Sequence, residues 1–236
     1  MSEKGKLYLI PAPLGENEPA EVIPATVLEK LRDIRTFVVE ELRTARRYLS
    51  RAGLKGHIEE LEFHVLNEHT PAAEVEAMAS LFEDGRDVGL VTEAGLPAVA
   101  DPGAALVALC HRHGIRVVPF VGPSSLMMAL MASGLNGQSF AFQGYLPAKT
   151  DERRSAIKAL EKQSAAHRQT QIFIETPYRN DATMEDLLRI CAPSTLVCIA
   201  ANITMPDETI LTRSVAQWRK DPITLGKRPC VFLILA

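Results

Sequence analysis

The stretch Asp87–Gly103, DVGLVTEAGLPAVADPG, constrains the fold more than any other part of the chain. After Asp87 its opening residues up to Val91 are apolar, with β-branched Val88 and Val91, the composition of a strand buried in a parallel sheet. Gly95 and Pro97 forbid continued pairing, so a loop begins at Thr92. Asp101-Pro102-Gly103 stands just ahead of AALVALCHRH, where Asp is a good helix cap and Pro a favoured first residue. The expected unit is a strand, a long loop of small residues, then a helix. In open α/β sheets ligands bind at that carboxyl edge. A loop of Gly, Ala and Pro offers them bare backbone, while Glu93 and Asp101 place a carboxylate near each end.

The pattern recurs along the chain. Leu7–Ile10 reads as a strand ended by Pro11-Ala12-Pro13-Leu14-Gly15. Pro24 opens an amphipathic helix to about Asp33, and Thr36–Val39 is a strand running into Glu40-Glu41-Leu42-Arg43-Thr44. Arg43, Arg46, Arg47 and Arg51 then share one broad helix face. Two readings of it stay open: a solvated face paired to Glu40 and Glu41, or a patch for an anionic substrate such as an RNA backbone. Phe63–Leu66 is a further strand, leading to the polar loop at Asn67 and a helix from Pro71 to Glu83. Arg116–Val121 ends in Gly122-Pro123-Ser124-Ser125, and Leu126–Met131 is a core helix closed by Gly134–Gly137. Later strands are expected at Phe140–Phe142, Thr170–Ile174, Leu196–Ala201, Thr209–Thr212 and Val231–Leu235, with helices from Lys149 and over Asp181–Ile190. Strands alternating with helices predict an α/β protein. The boundary region Gly122–Gln138 divides it into domains at 1–122 and 123–236.

Several functions are excluded by what the chain lacks. No G-x-G-x-x-G follows the first strand, and no P-loop, nucleophile elbow or H-E-x-x-H is present. His111 and His113 are two apart on an expected helix, a poor metal pair, so no metal is expected. Cys110, Cys191, Cys198 and Cys230 are scattered through apolar segments and read as buried thiols of a reducing, cytoplasmic compartment. The N-terminus is too polar for a secretory signal, and no segment has the apolar length to span a bilayer. With a net charge of −3, any nucleic-acid partner needs a local basic patch. A carboxyl edge with many small and acidic loops but no evident nucleophile points to group transfer from a reactive cofactor, driven by positioning.

LYLIPAPLGEN, VVEELRTARRYL, GLVTEAGLPAVADPG, VVPFVGPSSLMMALMASGL, FAFQGYLP and FIETPYR stand in this order. Together they resemble the successive motifs of the tetrapyrrole methylase superfamily, the class III S-adenosylmethionine-dependent methyltransferases. Within it the chain is most similar to the branch that methylates ribose 2′-hydroxyls of 16S rRNA. The resemblance implies two α/β/α domains, an S-adenosyl-L-methionine cleft between them, and a homodimer. It also implies cofactor contacts at Pro11, Gly15, Gly95, Leu96, Pro97, Ala98, Val99, Ser125, Leu126, Phe142, Gly144, Glu175, Thr176, Ala200 and Pro229. Substrate contacts are implied at Glu41, Arg43, Asn67 and Arg179, with the 30S subunit as the RNA partner. Where that branch has E-D-T-R this chain has Glu40-Glu41-Leu42-Arg43, and Thr92-Glu93 replaces Ser-Asp. The chain also ends soon after its last strand, without the small C-terminal extension many ribosomal members carry.

A ribose hydroxyl is a poor nucleophile, so a general base should assist. Glu93, Glu41 and Glu175 are the candidates, and Glu93 is favoured because it lies inside the longest loop at the carboxyl edge. The competing role for Glu93 is a carboxylate capping backbone amides. Two other functions stay open: methylation of a small corrin or porphyrin precursor, and S-adenosylmethionine binding without turnover.

Overall fold

The computed structural model describes residues 4–236. Two compact units divide between Ser124 and Ser125, each built on a five-stranded sheet.

In the first unit the strands are β1 (Lys6–Ile10), β2 (Thr36–Val39), β3 (Glu62–Val65), β4 (Val88–Val91) and β5 (Arg116–Pro119). All pair in parallel, in the order β3-β2-β4-β1-β5. Strand β4, all four residues buried, lies between β1 and β2 with Leu9 opposite Leu90 and Phe37 opposite Gly89. Alternate side chains enter opposite faces. Leu7, Val38, Val88 and Leu90 join Phe82, Leu106 and Leu109 on one side, while Tyr8, Ile10, Phe37 and Val39 join Leu31 and Leu49 on the other. A Cβ on Gly89 would lie 2.6 Å from Ile10 Cδ1 and 2.9 Å from Phe37 Cδ1, so the central strand needs glycine there for packing.

The helices of this unit are α1 (Pro19–Val22), α2 (Ala25–Leu31), α3 (Leu42–Leu49), α4 (Ala72–Ala77) and α5 (Ala104–Arg112). Several depart from their expected extents. α3 is followed by a π-turn, Ser50–Leu54, with Gly53 at φ +107°. The helix expected over Pro71–Glu83 is the short α4 and then a 3-10 segment reaching Gly85. The cap of α5 is Gly103, two residues past Asp101. Because every strand runs the same way, the loops after Ile10, Val39, Val65, Val91 and Pro119 all leave one edge of the sheet.

The second unit contains α6 (Ser125–Ser133), β6 (Phe140–Tyr145), α7 (Thr150–His167), β7 (Thr170–Glu175), α8 (Asn180–Ile190), β8 (Leu196–Ala201), β9 (Thr209–Ser214), α9 (Val215–Lys220) and β10 (Cys230–Leu235). Its sheet runs β6-β7-β10-β8-β9, and only β6 and β7 are parallel. The segment joining β8 to β9 is too short for a crossover helix, which forces an antiparallel pair. Trp218, fully buried, donates its indole N–H to the Val197 carbonyl at 2.9 Å, and Phe173 stacks on Phe232 at 5.5 Å. Asp186 ties α8 to α7 by accepting from Arg153 Nε at 2.8 Å and Arg154 Nε at 2.7 Å.

All four cysteines are buried and unpaired. Burial pushes the thiols of Cys110, Cys191 and Cys230 up to about 12, which leaves them protonated and inert at neutral pH. No helix among the described residues is long and apolar enough to cross a membrane.

Candidate active site

The loops after β1 and β4 are joined by a two-residue antiparallel bridge. Ala12 N–H donates to Gly95 C=O at 2.9 Å, and Gly95 N–H donates to Ala12 C=O at 3.0 Å. Gly95 has φ +74°, a conformation open to glycine at no steric cost. The main-chain polar groups of Gly95, expected to cradle a ligand, are thus engaged in holding the two loops together. Ala98 and Ala100 sit in the left-handed region at φ +64° and +54°. Alanine accepts that strain only where its surroundings enforce it, and such residues gather at functional loops.

Asp101 is what enforces it. Its Oδ1 accepts from the N–H groups of Ala98 at 3.2 Å and Gly103 at 2.6 Å, while Oδ2 accepts from Thr92 Oγ1 at 2.7 Å. One carboxylate thereby fastens the end of β4, the strained loop and the start of α5. Asp101 is an organiser of the loop rather than the helix cap expected of it, because Pro102 and Gly103 add a turn before α5 begins.

Across the edge, Glu41 caps α3. Its carboxylate accepts from Arg43 N–H at 2.9 Å and Thr44 N–H at 2.7 Å, bonds that hold its pKa below the ordinary glutamate range. A carboxylate so stabilised is a weak base. Thr44 Oγ1 lies between two carboxylates, 2.9 Å from Glu41 Oε2 and 3.0 Å from Glu93 Oε1, and its one proton serves one of them at a time. Glu93 is exposed, as Glu41 is, but of the three candidate bases it accepts the fewest hydrogen bonds, one from Thr44. Tyr48, one turn beyond Thr44, donates its hydroxyl to Pro11 C=O at 2.7 Å, and burial raises its pKa so that it stays a neutral donor. The loop after β1 is also gripped by Arg51, which donates to the carbonyls of Glu16 at 3.0 Å and Asn17 at 2.9 Å. Gly122 completes the clasp: a Cβ there would lie 2.2 Å from Pro11 Cβ.

Glu40, absent from the residues singled out by sequence, ends β2 half-buried. Burial first, then the charges of Asp101, Glu93 and Glu68, raise its pKa. The folded state therefore holds this proton more tightly than the unfolded chain, and stability falls as pH rises from the ordinary glutamate pKa through the raised one. Glu40→Gln is expected to match the wild type in acid and to exceed it in stability at neutral pH, as read from denaturant midpoints at a series of pH values.

Three of the four arginines at Arg43–Arg51 are paired, but not with Glu40 and Glu41. Arg46 meets Glu59 at 3.6 Å, Arg47 meets Glu16 at 3.9 Å and Arg51 meets Glu18 at 3.1 Å. Asn67 spends its side-chain oxygen on His69 N–H at 2.9 Å, forming its own loop. His113 pairs with Glu76, and no group of metal-ligating residues occurs among the described residues.

The remaining residues implied by the resemblance belong to the second unit. Ser125 and Leu126 open α6, and Phe142 and Gly144 flank an irregularity in β6 where Gly144 has φ +69° and a Cβ would meet nothing within 4 Å. That bare main chain suits close approach of a ligand. Glu175 ends β7 with its side chain 0% exposed. It accepts from Thr176 N–H at 2.7 Å, Arg179 Nε at 2.8 Å and Thr183 Oγ1 at 3.3 Å. So surrounded, Glu175 has no room to act as a base, and Arg179 is committed to it. Ala200 lies within β8, and Pro229 C=O accepts from Asn202 N–H at 2.9 Å.

The family model described as Tetrapyrrole (Corrin/Porphyrin) Methylases matches residues 6–218. The chain belongs to this family. This tetrapyrrole methylase is a methyltransferase, and its methyl donor is S-adenosylmethionine. It is 31% identical to Ribosomal RNA small subunit methyltransferase I of Escherichia coli O157:H7, over 99% of this chain and 78% of that protein. Its identity to the protein of the same name from Neisseria meningitidis serogroup B is 33%, over 90% and 69% of the two chains. Solved structures share the fold. The methyltransferase CobJ superposes with a TM-score of 0.61 at 18% identity, covering 98% of this chain and 94% of that one. A uroporphyrin-III C-methyl transferase from Thermus thermophilus, complexed with S-adenyl homocysteine, superposes with a TM-score of 0.58 at 18% identity, covering 98% and 97%. The acidic edge formed by Glu40, Glu41, Glu93 and Asp101 fits a donor that carries a sulfonium cation.

Proposed function

We propose that this methyltransferase acts on a ribose 2′-hydroxyl of the 16S rRNA in the 30S subunit, in the cytoplasm. The observation that carries the reading is identity of 31% over 99% of the chain to a protein named for methylating ribosomal RNA of the small subunit. On this reading the donor contacts are Pro11, Gly15, Gly95–Val99, Ser125, Leu126, Phe142, Gly144, Glu175, Thr176, Ala200 and Pro229. Since the Gly95 and Ala98 amides are internally bonded, their share is to fix the loop's shape, against which the donor lies. Glu41, Arg43, Asn67 and Arg179 line the acceptor side.

In the transfer, Glu93 takes the hydroxyl proton while the ribose oxygen bonds to the methyl carbon. The carbon–sulfur bond breaks and its electron pair stays on sulfur, leaving S-adenosylhomocysteine, so charge and atoms balance. Thr44 holds the Glu93 carboxylate in place, and Asp101 keeps the loop beside it rigid. Alignment of oxygen, carbon and sulfur supplies most of the remaining acceleration.

The protein acts as a homodimer on this proposal. Ser125–Ala148 contains no Asp, Glu, Lys, Arg or His, yet it exposes Met127, Met131, Phe140 and Tyr145, with Met131 82% exposed. A surface that meets its own copy across a two-fold axis must tolerate itself, and a neutral apolar segment does.

The test is transfer of radiolabelled methyl groups to 30S subunits from cells lacking this ribose methylation. Label on a 16S ribose is the expected result. Absence of label, with S-adenosylmethionine binding confirmed by calorimetry, turns the search to a small acceptor.

A further inference from the structure

Arg46, Arg47 and Arg51 are each paired with glutamates, and the carboxyl edge of the first sheet is acidic. Neither is a good landing place for phosphates. A different surface has the chemistry. Tyr178, in the 3-10 turn Pro177–Arg179 between β7 and α8, is 79% exposed. Lys227 Nζ stands 4.9 Å from its ring centroid. Arg228 follows directly, and its guanidinium donates only to neutral oxygens: Leu225 C=O at 3.0 Å, Thr209 Oγ1 at 3.1 Å and Thr224 C=O at 3.4 Å. Neither cation forms an ion pair among the described residues.

The arrangement is built in advance of any partner. Asp181, in the first turn of α8, accepts from the N–H groups of Leu225 at 2.7 Å and Gly226 at 3.1 Å. Asn180, fully buried, donates to the carbonyls of Gly226 at 3.1 Å and Arg228 at 2.7 Å. The loop carrying Lys227 and Arg228 is therefore bolted to the helix that follows Tyr178. With the loop's ordering cost already met in folding, such a platform binds with a smaller entropic penalty than a mobile loop would.

We infer that Tyr178, Lys227 and Arg228 form an RNA-docking platform that stacks one unpaired base on the tyrosine ring and holds the flanking phosphates with the two cations. Lys227 occupies one side of the ring and leaves the other for a base. Every base has a π-face, so the contact is sequence-tolerant, and it requires a single-stranded segment because a duplex hides those faces. This deepens the rRNA reading and rests on it.

Binding of the S-adenosylhomocysteine-loaded protein to hypomethylated 30S subunits and to naked 16S rRNA tests it, with wild type, Tyr178→Ala, Tyr178→Phe and Lys227→Ala compared. An exposed ring can be removed without disturbing the core, and thermal unfolding together with S-adenosylhomocysteine calorimetry checks that each variant is intact. Loss of a stacked base is expected to weaken binding of Tyr178→Ala to both RNAs by about ten- to a hundredfold. Tyr178→Phe is expected to restore it, and Lys227→Ala to lower the slope of log affinity against log salt by about one. If the wild type binds and methylates 30S subunits but all three variants bind like it, the platform is wrong while the rRNA reading stands. Equal loss in Ala and Phe variants overturns stacking, and loss confined to 30S subunits assigns the surface to a ribosomal protein instead. A wild type that neither binds nor methylates RNA overturns both.

Discussion

Glu93→Gln is expected to slow methyl transfer to 30S subunits by about 10²–10⁴-fold, the usual contribution of a positioned general base. Affinity for S-adenosylmethionine should hardly change. The substitution is nearly isosteric, and the amide oxygen still accepts from Thr44 Oγ1, whose distance to the carboxylate is 3.0 Å. What disappears is the capacity to take a proton. The contrast with its neighbours sharpens the test. Glu41 is anchored by two backbone N–H groups and Glu175 by a buried ring of donors, so neither can substitute as base. Single-turnover rates with radiolabelled donor, beside calorimetric donor affinity, separate chemistry from binding. Full turnover in Glu93→Gln with unchanged affinity would remove Glu93 from the mechanism.

Asp186→Ala is expected to produce the largest loss of stability, about 3–5 kcal/mol, as is typical when one member of a buried ion pair is removed. The Asp186 side chain is 4% exposed and that of Arg153 5%, so the guanidinium is left without its anion and out of reach of water. Arg154 loses its partner as well, and α7 loses its polar tie to α8. Asp186→Asn should cost less, since the amide oxygen still accepts one of these bonds. Denaturant unfolding monitored at Trp218, which is buried in the same core, reads both variants. A loss below about 1 kcal/mol in the Ala variant would mean that solvent reaches the site.

How much of this was legible in the chain depended on the range of the interaction concerned. The strand at Val88–Val91 and its irregular loop announce themselves because β-branched apolar residues, glycine and proline act through their own backbone. The same holds for the strand ends at Pro11, Glu40 and Glu175. The role of Asp101 was half visible. A carboxylate before a proline suggests a cap, but the partners it takes, Thr92 and Ala98, depend on how the loop folds back. The destinations of the α3 arginines were hidden, because Glu16, Glu18 and Glu59 are distant in sequence. Tyr178 and Lys227 are farther apart still, and only the folding of the loop before β10 against α8 brings them together.

The chain by itself determined the alternation of strands and helices and, through six ordered motifs, the family. These depend on local backbone preferences and on short signatures, and both survive in one dimension. Only the tertiary structure decided the antiparallel pairing of the second sheet, the bridge between Ala12 and Gly95, and which glutamate accepts the fewest hydrogen bonds. Glu41, Glu93 and Glu175 are one residue type at similar strand ends. A hydrogen bond and a degree of burial distinguish them, and both are set by neighbours that arrive from elsewhere in the chain.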